Sequence, residues 1–312
     1  MEYVTLGRTG LRASVAGLGG GGPSRLGLKT GRSETEIISL ARQAIDSGVN
    51  LIDTAEVYGT EEVIGKALRN VPRHRILISA KKLPPLDHRD PAAELKRGLE
   101  ETLRRLKTDY VDIYHLHSVR PEKYAGVRAK LVPALLEMRQ EGKLRFLGIT
   151  ENFREDFGHE MLQLALEDDW WDVTMVGFNI LNQSARTRVL PKTRAKNLGV
   201  MVMFAVRRAL SQPERLRRVW EELARKGLVD PDVREGEGPL DFLVKEAGAS
   251  SIPDAAYRFC RHEPGVHVVL TGTGNPDHLR ENLDSLLKPP LPDAATRRLK
   301  EIFANVDCIS GD

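Results

Sequence analysis

Cysteine is nearly absent from this chain. Two residues in 312, Cys260 and Cys308, stand without a paired spacing. That argues against a disulfide framework and a structural zinc site, and fits a reducing compartment. Aromatic residues are also scarce, at 5%. No apolar run approaches the roughly 18 residues needed to cross a bilayer. The first ten residues are polar and charged where an export signal would be apolar, so the expected location is the cytoplasm. Charge of one sign is not in excess: 47 basic residues against 44 acidic ones leave +3. Arg-rich turns such as Arg215 to Arg218 carry no aromatic interleaving or reader motif, so they read as solvated helix faces. Neither a nucleic acid nor a membrane is an expected partner.

What is present is alternation. Short apolar runs rich in Val and Ile alternate with amphipathic stretches, the pattern of a parallel sheet built from βα units and covered on both sides. Eight units can be counted, with strands expected at Ser14 to Leu18, Val49 to Asp53, Ile76 to Ala80, Val111 to Leu116, Arg145 to Ile149, Val173 to Phe178, Val200 to Phe204 and His267 to Leu270. Eight units in one chain predict a (β/α)8 barrel, a fold that runs to about 250 residues or more as one domain, so residues 1–312 read as a single domain. In the first helix, Ser33 and Glu36 form a capping box, Ile37, Leu40, Ala41, Ala44 and Ile45 make the apolar stripe, and Gly48 stops it. Other helices are expected at Glu61 to Leu68, Ala92 to Leu106, Lys130 to Arg139, Glu155 to Leu166, Ser184 to Asn197, Asp254 to His262, Asp277 to Leu286 and Ala294 to Phe303. A longer insertion, Leu210 to Ser251, contains a Gly/Pro/acidic stretch from Asp230 to Pro239. In a barrel such a segment is most often a loop over the active-site mouth, which assigns it to substrate selection.

The opening Tyr3 to Arg12 reads as a β-hairpin turning on Gly7 to Gly10 and closing the bottom of the barrel. The glycine run Gly19 to Gly22 lacks the spacing of a dinucleotide-fold fingerprint and is followed by Pro23 and a polar loop. Its glycines, Gly20 among them, instead allow a cofactor to approach the backbone.

Four polar residues fall at or just beyond the ends of three successive strands, where barrel enzymes place their catalysts. Asp53 and Tyr58 stand in Asp-Thr-Ala-Glu-Val-Tyr-Gly, Lys81 ends Ile-Leu-Ile-Ser-Ala-Lys, and His117 ends Asp-Ile-Tyr-His-Leu-His. Taken singly, each has an ordinary structural reading, and Lys82 competes with its neighbour. Together they supply complementary parts. A phenol can give a proton to a carbonyl oxygen, an ammonium can lower its pKa, a carboxylate can hold the ammonium, and a histidine can align the carbonyl. Thr271 to Asn275 follow the last strand and precede a helix, where barrels often hold phosphate.

With these pieces in place the chain resembles the aldo-keto reductases nearly end to end. The likeness rests on Tyr3 to Leu11, Asp53 to Gly59, Lys81, Asp109 to His117, Gly142 to Ile149 and Thr271 to Asn282. The resemblance implies an NAD(P)-dependent oxidoreductase that moves hydride between a nicotinamide and a small carbonyl or alcohol substrate, an aldehyde, ketone or sugar, without metal. It implies a catalytic tetrad of Asp53, Tyr58, Lys81 and His117, with Tyr58 as general acid in reduction and base in oxidation. It also implies cofactor contacts at Gly20, Asp53, Thr150, Gly272, Thr273, Gly274, His278, Glu281 and Asn282, and a nicotinamide covered by Met203 or Phe204.

The chain departs from the family pattern in several places. Thr150-Glu151 stands where Ser-Asn grips the carboxamide; Thr150 can replace a serine, but Glu151 cannot donate as an amide does, and Asn152 comes one place later. Met175 stands where a glutamine is usual. His278 occupies the position of an arginine that holds the 2′-phosphate of NADP, with Arg280 two residues on. NADP is expected over NAD by a narrow margin. Two other readings stay open: a cofactor-binding, redox-sensing regulatory subunit with little turnover, and an aldolase using Lys81 as a Schiff base. The few aromatics suggest a polar small molecule as substrate, while direction and oligomeric state are unassigned.

Overall fold

The computed structural model describes residues 1–231 and 238–312. The opening hairpin pairs β1 (Tyr3–Thr5) antiparallel with β2 (Arg12–Ser14) around a 3-10 turn at Gly7–Thr9. Its apolar side chains Leu6, Leu11 and Ala13 pack against Leu51, Leu77, Ile113, Val173 and Met201. The Arg8 amide donates to the Asn197 carbonyl at 2.6 Å. Gly7 lies so close to the chain at Leu198 and Gly199 that a Cβ there would sit 2.4 Å from the Gly199 nitrogen, so only glycine fits. The hairpin thus plugs the barrel bottom, as its sequence indicates.

Eight strands close the barrel: β3 (Ala16–Gly19), β4 (Leu51–Asp53), β5 (Leu77–Lys82), β6 (Val111–Val119), β7 (Leu144–Glu151), β8 (Val173–Gly177), β9 (Gly199–Met203) and β10 (Val268–Thr271). They neighbour one another in chain order, all parallel, with β10 returning to β3. Alternation along each strand sends one set of side chains inward and the other against the helices. Leu51, Leu77, Ile113, Val173, Met175, Met201 and Val268 fill the interior, whereas Ile52, Ile78, Tyr114, Val176 and Val202 meet the helical layer.

Several boundaries differ from expectation. Ser14 belongs to the hairpin, and the first barrel strand begins at Ala16. β6 runs three residues past Leu116, through an irregularity where Ser118 has φ +54°, so His117 lies within the strand. The helix expected from Lys130 is a pair, α4 (Tyr124–Lys130) and α5 (Val132–Gln140), with Pro133 in the first turn of the second. The helix expected from Glu155 shrinks to α6 (Glu160–Ala165), because the Asp156 carboxylate accepts the amides of Glu160 and Met161 and ends the turns before it. The Ser184 to Asn197 stretch breaks at Val189 into α7 (Ala185–Arg188) and α8 (Leu190–Ala195), two residues ahead of Pro191. The remaining helices follow their sequence signals: α1 (Glu34–Asp46) with the Ser33–Glu36 capping box, α2 (Glu61–Ala67) and α3 (Pro91–Leu106) capped by Asp90.

The 210–251 insertion behaves differently from a mouth loop. It follows the short α9 (Arg208–Ser211) and contributes α10 (Pro213–Arg225) and α11 (Phe242–Lys245). Leu216, Trp220 and Leu223 are buried in the outer core, and Trp220 meets Phe303 edge-on at 5.9 Å. Most of the Asp230 to Pro239 stretch, residues 232–237, lies outside the described residues. Then come α12 (Ile252–Arg261), α13 (Pro276–Leu287) and α14 (Asp293–Ile302). Among the described residues no helix is long and apolar enough to cross a membrane.

Candidate active site

Strand alternation and register assemble the four expected residues. Asp53, Lys81 and His117 lie in phase with Leu51, Leu77 and Ile113, which fill the barrel interior. Asp53 pairs in register with Ser79, two residues before Lys81, and Lys81 pairs with His115, two residues before His117. Each step up by one inward position offsets the tilt of the strands, so the three side chains reach one level of the mouth.

Lys81 and Asp53 are fully buried. The Lys81 Nζ donates to both Asp53 oxygens at 2.6 Å and to the Thr54 carbonyl at 2.8 Å, and the Ser79 hydroxyl donates to Asp53 at 2.7 Å. All three ammonium protons have acceptors, while burial lowers the Lys81 pKa from its ordinary value against the pull of Asp53. Lys82 points outward, paired with Glu56 at 2.8 Å and Glu94 at 3.3 Å, so of the two lysines Lys81 is the one inside the barrel.

Tyr58 arrives from the 3-10 turn Glu56–Tyr58 after β4, closed by left-handed Gly59. Its hydroxyl lies 3.2 Å from His117 Nε2, the rings are perpendicular, and Lys81 Nζ is 5.2 Å from its ring centre. A Cβ on Gly21 would sit 2.6 Å from Tyr58 Cζ, so the second half of the glycine run makes room for the phenol. Burial pushes the Tyr58 hydroxyl above its ordinary value and the Asp53 carboxylate adds to this, while Arg207, Arg25 and Arg154 pull it down. The lowering expected from Lys81 does not dominate, because its charge is already spent on Asp53. Burial, and secondarily the Lys81 charge, push His117 down to about 3, so its imidazole is neutral. His115, one inward position below, is likewise held neutral by burial and packs on Gly148.

The expected cofactor residues divide. Gly272, Thr273, His278, Glu281 and Asn282 border a cavity of about 850 Å³ beside the mouth. It reaches the start of α12 and of α13, two helix N-termini capped by Ser251 and Asn275. Asn282 donates to the Thr271 hydroxyl at 2.8 Å. Gly274 instead packs on Gly27, and Gly20 packs on Thr60 and the Asp53 carbonyl, so both positions are small for packing inside the protein. Arg280 is exposed and paired with Asp277. Among the described residues of the segment from Arg208 to Ser251, those that border this cavity stand at its ends: Arg208, Ser211 and Gln212 at one, Ser250 and Ser251 at the other.

At the carboxamide positions the Thr150 hydroxyl accepts the Ser118 amide at 2.7 Å. Glu151 turns away and is buried: it accepts the Gly177 amide at 2.8 Å and pairs with His159 Nδ1 at 2.8 Å, whose Nε2 lies 2.9 Å from the Ser184 hydroxyl. Asn152 borders a separate surface groove. Phe153 fills the space over Gly177, stacked on His159 and edge-on to Phe204. Of the two candidates to cover a nicotinamide, Met203 packs against the barrel interior, whereas Phe204 stands at φ +69° with the Arg207 guanidinium 4.2 Å from its ring centre.

Sequence reasoning did not single out Arg154, Arg207 and Asp312. Only the Arg207-Arg208 pair just after a strand end was a visible signal.

Residues 17–304 match the Aldo/keto reductase family as a whole. The chain is 36% identical to L-galactose dehydrogenase of Arabidopsis thaliana over 157 residues, 48% of each chain, so that likeness spans about half of both proteins. It is 27% identical to the NADH-specific methylglyoxal reductase of Escherichia coli strain K12 over 97% of this chain and 98% of that one. Among solved structures, an aldo/keto reductase from Klebsiella pneumoniae in complex with NADP and acetate superposes with a TM-score of 0.70 at 24% identity, covering 96% of this chain and 95% of the other. A barrel with this plug, this order of strands and a family match over nearly its whole length belongs to the aldo/keto reductase family.

Proposed function

We propose that this protein is an NAD(P)-dependent oxidoreductase that interconverts a small carbonyl compound and its alcohol, with Tyr58 as the acid in reduction and the base in oxidation. The observation that carries this reading is the hydrogen bond between the Tyr58 hydroxyl and neutral His117, set above the buried Lys81–Asp53 pair. A bound nicotinamide supplies or accepts the hydride. Tyr58 stays protonated at neutral pH, because burial and Asp53 outweigh the nearby arginines. Its proton passes to the carbonyl oxygen as the carbon is reduced. Neutral His117 Nε2 aligns that oxygen, and the charges of Arg207, Arg25 and Arg154, which favour the ionised phenol, steady the phenolate left behind.

The cofactor fits the residues present. The starts of α12 and α13 favour its phosphates, Asn282 and Glu281 border the adenine end, and Phe204 rather than Met203 offers a ring to the nicotinamide. Thr150 remains beside the carboxamide, but no amide side chain stands at residue 151. Lys288 lines the same cavity, donating to Ser250 at 3.1 Å and Asp254 at 2.9 Å. Together with Arg208 it puts cations in the lining of this cavity that would favour a 2′-phosphate, and on this ground NADP is preferred to NAD.

Fluorescence titration with NADPH and NADH, followed by absorbance at the nicotinamide band with aldehydes, ketones and sugars, tests the reading. Saturable binding with substrate-dependent oxidation supports it; no binding of either nucleotide overturns it.

A further inference from the structure

Three arginines stand around the proton donor, and two of them already hold a carboxylate. Arg207 follows β9 and Arg154 follows β7; their Nε atoms donate to the two oxygens of Asp312 at 2.7 Å and 2.8 Å. The segment carrying Asp312 is fastened at the mouth. Asn182 and Asn179 donate to the carbonyls of Ile309 and Ser310 at 3.0 Å, and the Gly311 carbonyl accepts the Ala209 amide at 3.0 Å. The Phe204 ring lies under both guanidiniums, 4.2 Å from Arg207 and 5.9 Å from Arg154, and its left-handed backbone is an uncommon state for a bulky side chain.

The Arg207 side chain is only 10% exposed, and its Nη2 is buried without a well-directed hydrogen bond, although it touches Asp312. Its Nη1 lies 4.0 Å from where a Cβ on Gly22 would be, while Gly21 faces Tyr58. The two glycines are consecutive, so the guanidinium and the phenol border neighbouring stretches of one wall. Two guanidiniums face one carboxylate here, leaving positive charge in excess beside the reacting position.

Resting on the reading of Tyr58 as proton donor, we propose that Arg207 and Arg154 recognise a carboxylate on the substrate, that the carbonyl compound is therefore an oxo acid, and that Asp312 holds this position until substrate displaces it. The pair is matched to a carboxylate because each oxygen meets a different arginine. It is displaceable from the Arg154 side, where Arg154 is 60% and Asp312 24% exposed and such ion pairs are individually weak. Arg207 and Arg208 both border the cofactor cavity, so Arg207 stands where that cavity meets the reacting position, and the exposed Arg208 is left to the cofactor's phosphates.

The test compares succinic semialdehyde with its methyl ester, using whichever of NADPH and NADH binds. The free acid is expected to have the higher kcat/KM. The ratio should fall by about 10- to 100-fold in Arg154→Gln and in Arg207→Gln, the worth of a charge-assisted hydrogen bond. In Asp312→Asn the ratio should rise by about two- to fivefold. Equal kcat/KM for acid and ester in the native protein overturns the inference while leaving the reductase reading intact. A ratio unchanged in Arg154→Gln also overturns it, as does a loss in Arg207→Gln seen only as weaker cofactor binding. Binding is read separately, as quenching of bound NADPH or NADH fluorescence by succinate. Quenching that needs Arg154, with neither aldehyde turned over, would uphold the carboxylate site and overturn the reductase reading.

Discussion

Lys81 Nζ lies 2.6 Å from each carboxylate oxygen of Asp53, with both side chains sealed from solvent inside the barrel. Removing one partner leaves the other charge buried and unpaired. Asp53→Leu should therefore cost about 3–5 kcal/mol of stability, while the double variant Asp53→Leu/Lys81→Met should recover much of it and remain inactive. Urea unfolding decides: a double variant no more stable than the single one would contradict this.

Tyr58→Phe removes the proton and keeps the ring that packs on Gly21. Turnover should drop by roughly 10²–10⁴-fold, the usual worth of a general acid, with cofactor affinity nearly unchanged. Rates near those of the unaltered protein would remove Tyr58 from its role.

Acid should destabilise the fold through the barrel histidines. His117 falls from an ordinary 6.5 to about 3, and His115 falls well below 6.5, both chiefly through burial. Below pH 6.5 the unfolded chain binds protons that the folded chain does not, so stability is complete above about 6.5 and declines as pH falls toward 3. Replacing His117 with Asn should flatten that decline by up to about 1.4 kcal/mol per pH unit, the linkage of one proton, read from unfolding free energies measured across pH. An unchanged slope would count against a buried neutral imidazole.

Tyr58 shifts the other way, upward, through burial and Asp53. Reduction requires the protonated phenol, so kcat for reduction should stay level through pH 9 and decline only above 10. A fall centred near pH 7 would point to a different proton donor.

His278 borders the cofactor cavity where an arginine fork would grip a 2′-phosphate. His278→Arg should tighten NADPH by about three- to tenfold, in line with a charge-assisted hydrogen bond, and leave NADH within twofold. Equal changes for both nucleotides would place the 2′-position elsewhere, with Lys288 as the next residue to replace.

Much of this protein follows from short-range pattern. Strand and helix periods, the capping box at Ser33, the Gly7 turn and the strand-end positions of Asp53, Lys81 and His117 are all set by residues a few places apart. The barrel, and the strand-end placement of the proposed tetrad, could therefore be read before any contact was known. Helix ends were less legible: Asp156 accepts two amides ahead of α6, and Val189 breaks a stretch whose apolar spacing looks continuous.

What only the tertiary structure decided is how charges meet across the mouth. Asp312 lies 158 positions from Arg154 and 105 from Arg207, and neither separation leaves a local trace in the sequence. Glu151 reads as a lost amide donor, yet folding turns it onto His159 and the Gly177 amide, behind Phe153. The direction of the Tyr58 shift is decided the same way, because desolvation and the commitment of Lys81 to Asp53 exist only once the barrel has closed around them. The sequence by itself determined which groups reach the rim, through periodicity and local turns. Closure of the barrel determined what each group faces there, because electrostatic interaction and burial depend on distance in space rather than along the chain.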